Sequence, residues 1–297
     1  MPFLETEFIR WATEGLGNEL PVGPGDDAAV LAGGLVVALD SVVESVHFDS
    51  GTPLELVARK ALGACLSDVC AMGAVAEAVF VSAQLPAGID GRVLAQALRS
   101  HSAEFGVVLA GGDTVSTCPG ALALSVTATG RLADGEAPWL RGGARPGDQL
   151  VVSGALGGSR GGRHLRPRPR ADLVEVLRRE GVAVSACLDV SDGLARDLPR
   201  MTAASGVHAE VFADRIPVHA DARGVEDPRH AALTDGEDFE LLFAVPEQAS
   251  LPAGCVVIGG LVERSSTDDS PGGAACTLIG GDGVREPWPT GGHEHVF

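Results

Sequence analysis

A mixed α/β chain of two domains is what this sequence predicts, and three observations carry that expectation. In both halves, short apolar runs of strand length alternate with longer segments that bear helix start and stop signals. Between Arg131 and Asp148 the periodicity gives way to glycine, proline and charge, the composition of a connection between domains. At 297 residues and 45% hydrophobic content, the chain is long enough for two cores of ordinary size. We therefore expect domains over 1–135 and 136–297.

The elements follow in order. Leu35 to Leu39 is an apolar run that reads as a buried strand delivering Asp40 from its C-terminal end. Thr52-Pro53-Leu54-Glu55 offers a threonine N-cap, proline at the first helical position and glutamate at the third, predicting a helix to about Met72 stopped by Gly73. Lys60, Ser67 and Asp68 interrupt its otherwise apolar surface. A polar group on a helix is ordinarily solvated, but the Leu, Ala, Cys and Val around Asp68 point to a function instead. A strand near Val79 to Gln84 follows, then a helix from an Asp90 cap to Phe105 closed by Gly106. The strand Val107 to Ala110 leads into Gly111-Gly112-Asp113, and alternation over 121–127 predicts one more strand.

The second half restarts with a strand over Gln149 to Ser153, the glycine-rich run 154–162, and Arg166, Arg168 and Arg170 spaced by prolines. Those arginines suit either a phosphate-facing loop or a solvated basic loop on an acidic protein. An amphipathic helix over Ala171 to Glu180 and a strand, turn and helix around Cys187 to Ser205 come next. From Glu237 to Val245, the residues Phe239, Leu241, Phe243 and Val245 alternate as on a half-buried strand.

Composition excludes several classes of function. A net charge of −18 argues against nucleic acid or an anionic membrane as partner, since both need a basic surface. The six cysteines show no C-x-x-C spacing, so neither a zinc site nor a redox dithiol is indicated, and buried free thiols are expected. The N-terminus lacks a basic segment followed by an apolar one, and no apolar run reaches the ~18 residues of a membrane span. The expectation is a soluble cytoplasmic protein.

The chemistry is carried by six carboxylate motifs: Gly25-Asp26-Asp27, Leu39-Asp40-Ser41, Leu66-Ser67-Asp68, Gly111-Gly112-Asp113, Asp189-Val190-Ser191-Asp192-Gly193 and Gly236-Glu237-Asp238. Aspartate is a short, hard oxygen ligand of the kind Mg²⁺ prefers, and small neighbours let the backbone approach phosphate oxygens. No G-x-x-x-x-G-K-[ST] occurs, and Lys60 is the only lysine. If the protein handles ATP, metals must stand in for the P-loop lysine.

Taken with Ala58-Arg59-Lys60-Ala61-Leu62, Arg141-Gly142-Gly143-Ala144-Arg145-Pro146-Gly147-Asp148 and 164–170, these motifs run in the order of the thiamine-monophosphate kinase family, which the chain resembles over nearly its whole length. The resemblance implies a two-domain mixed α/β fold of the aminoimidazole-ribonucleotide-synthetase-like ATP-binding superfamily, and a homodimer paired through N-terminal domains. It implies transfer of the γ-phosphate of ATP to thiamine monophosphate. It also implies Asp27, Asp40, Asp68, Asp113, Asp189 and Asp192 as ligands for several Mg²⁺ ions, and Gly112, Asp113, Arg141 and Ser191 as ATP contacts. His47, Glu237 and His293 fall on the substrate side. No residue is expected as a covalent nucleophile, because a phosphate acceptor is already anionic at neutral pH.

The sequence departs from the family pattern at Ala38 and Leu39, where hydroxyl residues are usual, and at His293, which replaces a stacking aromatic in a tail with Val296 as an extra residue. A sister ATP-dependent enzyme of the superfamily and a non-catalytic magnesium-nucleotide-binding protein are the competing readings.

Overall fold

The computed structural model describes residues 3–16, 19–117, 120–265, 275–293 and 295. Helix α1 (Glu5–Thr13) precedes β1 (Ala29–Leu31), β2 (Leu35–Val43), α2 (Leu54–Ala71), β3 (Val75–Pro86), α3 (Gly91–Glu104), β4 (Val108–Thr117) and β5 (Ala123–Arg131). Their strands form one sheet in the order β1-β2-β5-β3-β4. Only β3 and β4 run parallel, with α3 as the crossover that parallel neighbours require. The chain then makes β6 (Asp148–Val152), α4 (Ala171–Arg179), β7 (Ala186–Asp189), α5 (Leu194–Ser205), β8 (Val207–Phe212), α6 (Pro228–Thr234), β9 (Leu241–Pro246), β10 (Val256–Glu263), β11 (Cys276–Ile279) and β12 (Arg285–Pro287). These strands form a second sheet ordered β12-β11-β8-β10-β6-β9-β7.

Helix α2 positions the site. Thirteen of its residues are buried, Lys60 and Ser67 among them, so it is a core helix and not an amphipathic surface one. Ala61, Leu62, Cys65, Leu66 and Val69 pack into the core beneath the first sheet. Its last turn, Cys70 and Ala71, instead joins Trp139, Leu173, Leu177 and Phe243 against the second sheet. The helix is therefore wedged between both layers, and small residues make the fit. At Gly63 an added Cβ would stand 2.4 Å from the Pro167 ring.

Four local expectations are corrected. Strand β2 does not end before Asp40 but continues to Val43, because its ladder with β5 is unbroken from Leu35–Arg131 to Val43–Ala123. Strand β4 likewise runs through Gly111-Gly112-Asp113, paired with β3. Helix α2 starts one residue later than expected: Pro53 is the flanking residue and no side chain caps the end, so Thr52 is not the cap. Strand β9 begins only at Leu241 and is buried on both faces, because a core packs against each side of the sheet where it runs between β6 and β7. Leu242 and Ala244 enter the core shared with α5, while Leu241, Phe243 and Val245 enter the one shared with α4. The Asp90 cap is as expected, its carboxylate accepting from the N–H of Arg92 and Val93. Cys65, Cys70, Cys187, Cys255 and Cys276 are free thiols, and Cys118 lies outside the described residues. Among the described residues no helix is long and apolar enough to cross a membrane.

Gly63→Ala should lower the melting temperature even though alanine is favoured over glycine in a helix by about 1 kcal/mol. Displacing the Pro167 ring costs on the order of 1–3 kcal/mol, which outweighs that gain. Gly91→Ala on α3 meets nothing within 4 Å and should not lower it. Thermal denaturation of both variants beside the parent checks the contrast.

Candidate active site

A cavity of about 1100 Å³ opens between the two sheets. Asp40 of β2 and Lys60 and Asp68 of α2 line it from one side. Asp189 at the end of β7, Ser191, Asp192 and the turn bearing Glu237 line it from the other. The second-sheet groups come from a strand end and the turns after it, whereas Asp40 projects from within β2 and Lys60 and Asp68 from a core helix.

Its most demanding feature is a cluster of three carboxylates. One oxygen from each of Asp27, Asp68 and Asp189 lies within 4.8 Å of the others. The Asp27 side chain is only 1% exposed. Burial pushes all three acids above the ordinary carboxylate range. Mutual repulsion adds to it at Asp68, from Asp189, Asp40 and Asp27, and at Asp189, from Asp27. Arg141 partly offsets this, donating from its guanidinium to Asp27 at 2.8 Å and from its backbone N–H to Asp26 at 2.6 Å. The Ser67 hydroxyl donates to Asp189 at 2.6 Å and fixes its rotamer. Asp27 Oδ2 is nevertheless buried without a hydrogen-bond partner. An orphaned carboxylate oxygen among converging like charges is the donor set of a hard cation, which would satisfy the oxygen and remove the repulsion.

A second group lies on the same cavity wall. Lys60 is 1% exposed, and its ammonium donates to Glu237 and, at 2.6 Å, to the carbonyl of His47. Glu237 sits in the left-handed region at φ +52, held there by its N–H donating to the Ser191 carbonyl at 2.7 Å. His47 accepts the N–H of Val43 on Nδ1, and burial, followed by the Lys60 charge, lowers its pKa to about 4. Its ring lies 5.5 Å from that of His295, which packs edge-on against His293 at 4.6 Å. Asp40 is raised to about 6, burial outweighing the 2.6 Å hydrogen bond from the Ser41 N–H.

Of the residues singled out from sequence, Asp40, Asp68, Asp189, Asp192, Arg141, Ser191, His47, Glu237 and His293 all line the cavity, and Asp27 lies in the carboxylate cluster beside it. Gly112 and Asp113 do not line it; they lie on β4, the exposed edge strand of the first sheet. Leu39 is exposed and faces the cavity, whereas Ala38 is buried in the core. Of the C-terminal tail, Glu294, Val296 and Phe297 lie outside the described residues. Sequence reasoning missed Arg160, Arg200 and His295 as cavity residues. Arg200 pairs with Asp192 at 2.6 Å and with Asp197 at 2.7 Å. Its spacing of three from Asp197 on one helix was the available signal. Arg166 and Arg168 are exposed, whereas Arg170 is structural, pairing with Glu240 and donating to the Ser153 carbonyl.

A carboxylate whose pKa is raised by folding contributes stability that is present below its unfolded value near 4 and is lost as pH rises through the folded value. Without divalent cations, Asp68→Asn should therefore melt higher than the parent at pH 8, on the order of 2–4 °C for each kcal/mol of repulsion removed. The advantage should shrink toward pH 4.5. Melting curves across that range test this, and a variant that melts lower than the parent at pH 8 would count against repulsion in the cluster.

Residues 25–132 match the family described as AIR synthase related protein, N-terminal domain, and residues 145–264 match AIR synthase related protein, C-terminal domain. The chain is 40% identical over 273 residues to a thiamine-monophosphate kinase of Rhodopirellula baltica, covering 84% of each chain. It is 35% identical over 289 residues to that of Methanopyrus kandleri, covering 88% of this chain and 91% of the relative. The solved structure described as AaThiL complexed with AMPPCP and TMP superposes with a TM-score of 0.83 at 26% identity, over 98% of this chain and 97% of that one. The chain belongs to the thiamine-monophosphate kinase family.

Proposed function

We propose that the protein transfers the γ-phosphate of ATP directly to thiamine monophosphate, yielding thiamine diphosphate and ADP. The observation that carries this reading is the buried carboxylate cluster opening on a cavity large enough for both substrates, in a chain of this family. Asp27, Asp68 and Asp189 would hold Mg²⁺, with Asp40 and Asp192 on the adjoining wall. Mg²⁺ bound there would screen the charge between two phosphate groups and draw electron density from the transferring one.

The chain's own residues do the rest. The acceptor has a second pKa near 6, so at pH 7 it is already mostly dianionic and needs no strong general base. Its oxygen forms the new bond to the γ-phosphorus as the bond to the bridging oxygen breaks and ADP leaves with the electron pair. Arg141 is the direct cation for the nucleotide, able to grip phosphate with two parallel N–H groups. Ser67 keeps Asp189 aimed, and Lys60 keeps Glu237 aimed. His47 remains neutral at pH 7, so it offers a ring to the cationic thiazolium of thiamine without repelling it, and His293 adds a second ring to the same cavity.

The division at residue 135 separates the two sheets. We infer a homodimer from the position of Gly112 and Asp113, which their motif assigns to ATP while a single chain leaves them on the exposed edge β4, beside exposed Val108, Val115 and Phe80. Sedimentation at micromolar concentration should give twice the chain mass; a monomer would leave both residues outside the nucleotide site.

The central experiment supplies Mg-ATP and thiamine monophosphate and measures both products. They should appear one for one, free thiamine should not be phosphorylated, and Asp189→Asn should lower kcat by on the order of a hundredfold or more. A phosphorylated enzyme intermediate, or ADP release indifferent to the acceptor, would sink direct transfer.

A further inference from the structure

Four permanently basic side chains line the cavity, and three of them are paired to carboxylates: Arg141 with Asp27, Arg200 with Asp192 and Asp197, and Lys60 with Glu237. The fourth, Arg160, is exposed and has no ion-pair or hydrogen-bond partner among the described residues. A guanidinium exposed at a cavity wall ordinarily folds onto the nearest acid of so acidic a protein. Here it does not.

The loop beneath it is built for position. Gly157 and Gly158 adopt φ +85 and +73 and press so closely on the backbone of Ala232 and Ala222 that a Cβ would come within about 2.5 Å of each, a tolerance only glycine has. The Gly157 N–H donates to Asp238 at 3.0 Å, the Gly158 N–H to Asp235 at 2.7 Å, and the fully buried Ser159 hydroxyl to the Gly236 carbonyl at 2.6 Å. His164 donates from Nδ1 to the Ser159 carbonyl at 2.9 Å. Arg160 is thus anchored to the 235–238 segment that carries Glu237. Its charge is also close enough to oppose that of Lys60, the chain's only lysine.

This side of the cavity sets Arg160 and Lys60 against Glu237 and Asp235, whose carboxylates already accept from Lys60 and from the Gly158 N–H, while the Arg141 side is crowded with aspartates. We propose that Arg160 binds the phosphate of thiamine monophosphate, the acceptor, and not the nucleotide. The proposal rests on the thiamine-monophosphate kinase reading and adds to it the residue that distinguishes the phosphorylated substrate from thiamine. Arginine suits the task because its planar fork matches two phosphate oxygens and its charge never has to be gained on binding.

The test compares the parent, Arg160→Ala and Arg160→Lys by calorimetric titration with thiamine monophosphate and with thiamine, and by steady-state kinetics. Arg160→Ala should weaken thiamine monophosphate tenfold or more while leaving thiamine affinity and the KM for ATP within twofold, and Arg160→Lys should recover part of the loss. Unchanged affinity for thiamine monophosphate, equal weakening of thiamine, or a parallel rise in the KM for ATP would each overturn the assignment. A parent protein that binds thiamine monophosphate through Arg160 yet forms no thiamine diphosphate would instead overturn the kinase reading and leave Arg160 as the phosphate contact.

Discussion

The architecture of this protein depends on keeping three carboxylates close together where water cannot screen them. Asp27, Asp68 and Asp189 come from a loop before the first sheet, a core helix and the end of a strand in the second sheet. Each would be more stable ionised in water, so the fold must be rigid enough to hold them against repulsion. Helix α2 supplies that rigidity by being buried along most of its length and wedged between both layers, with Asp68 facing the cavity. The connection bearing Arg141 crosses over the cluster and ties Asp26 and Asp27 down from the opposite side. Removing the clamp would leave Asp27 free to swing outward, so Arg141 holds the geometry of the carboxylate cluster.

A second tie joins the same two layers through Lys60 and Glu237. Burying an ammonium is tolerable only when it is paired and hydrogen-bonded, and both conditions are met here. Glu237 takes a left-handed backbone that costs a non-glycine residue on the order of 1–2 kcal/mol. The strain is confined to the turn that also anchors the glycine-rich loop through Asp235, Gly236 and Asp238. One short segment therefore sets the position of Glu237, the buried lysine and the loop that bears Arg160.

The site was legible in the sequence to the extent that its residues carry their own chemical signature. Aspartate beside glycine or serine is visible one motif at a time, and an acid among Leu, Ala and Cys, as at Asp68, already implies burial. What could not be read was where a strand ends. The hydrophobic run stops before Asp40, but backbone pairing with β5 does not depend on side-chain polarity, so the strand continues past it. The Gly111-Gly112-Asp113 run is hidden for the same reason. The depth of β9 was misjudged because alternation is the signature of one apolar face, whereas here both residue sets are apolar and each meets a different core. Arg160 was missed because an arginine in a loop carries no positional signal until its partners, or the lack of them, are in view, whereas Arg200 had one in its spacing of three from Asp197.

Distribution of charge within the cavity also explains why a lysine-poor, strongly acidic chain suits transfer between two phosphates. A P-loop lysine would bring one fixed positive charge to one phosphate oxygen. Clustered aspartates could instead hold divalent charge against both phosphates. That arrangement gives no discrimination between acceptors, because a metal attracts any phosphate. Discrimination would then fall to the Lys60–Glu237 group, where the neutral ring of His47 and the rings of His293 and His295 face the cavity. Carboxylates would then serve the group transferred, and rings with fixed cations the molecule that receives it.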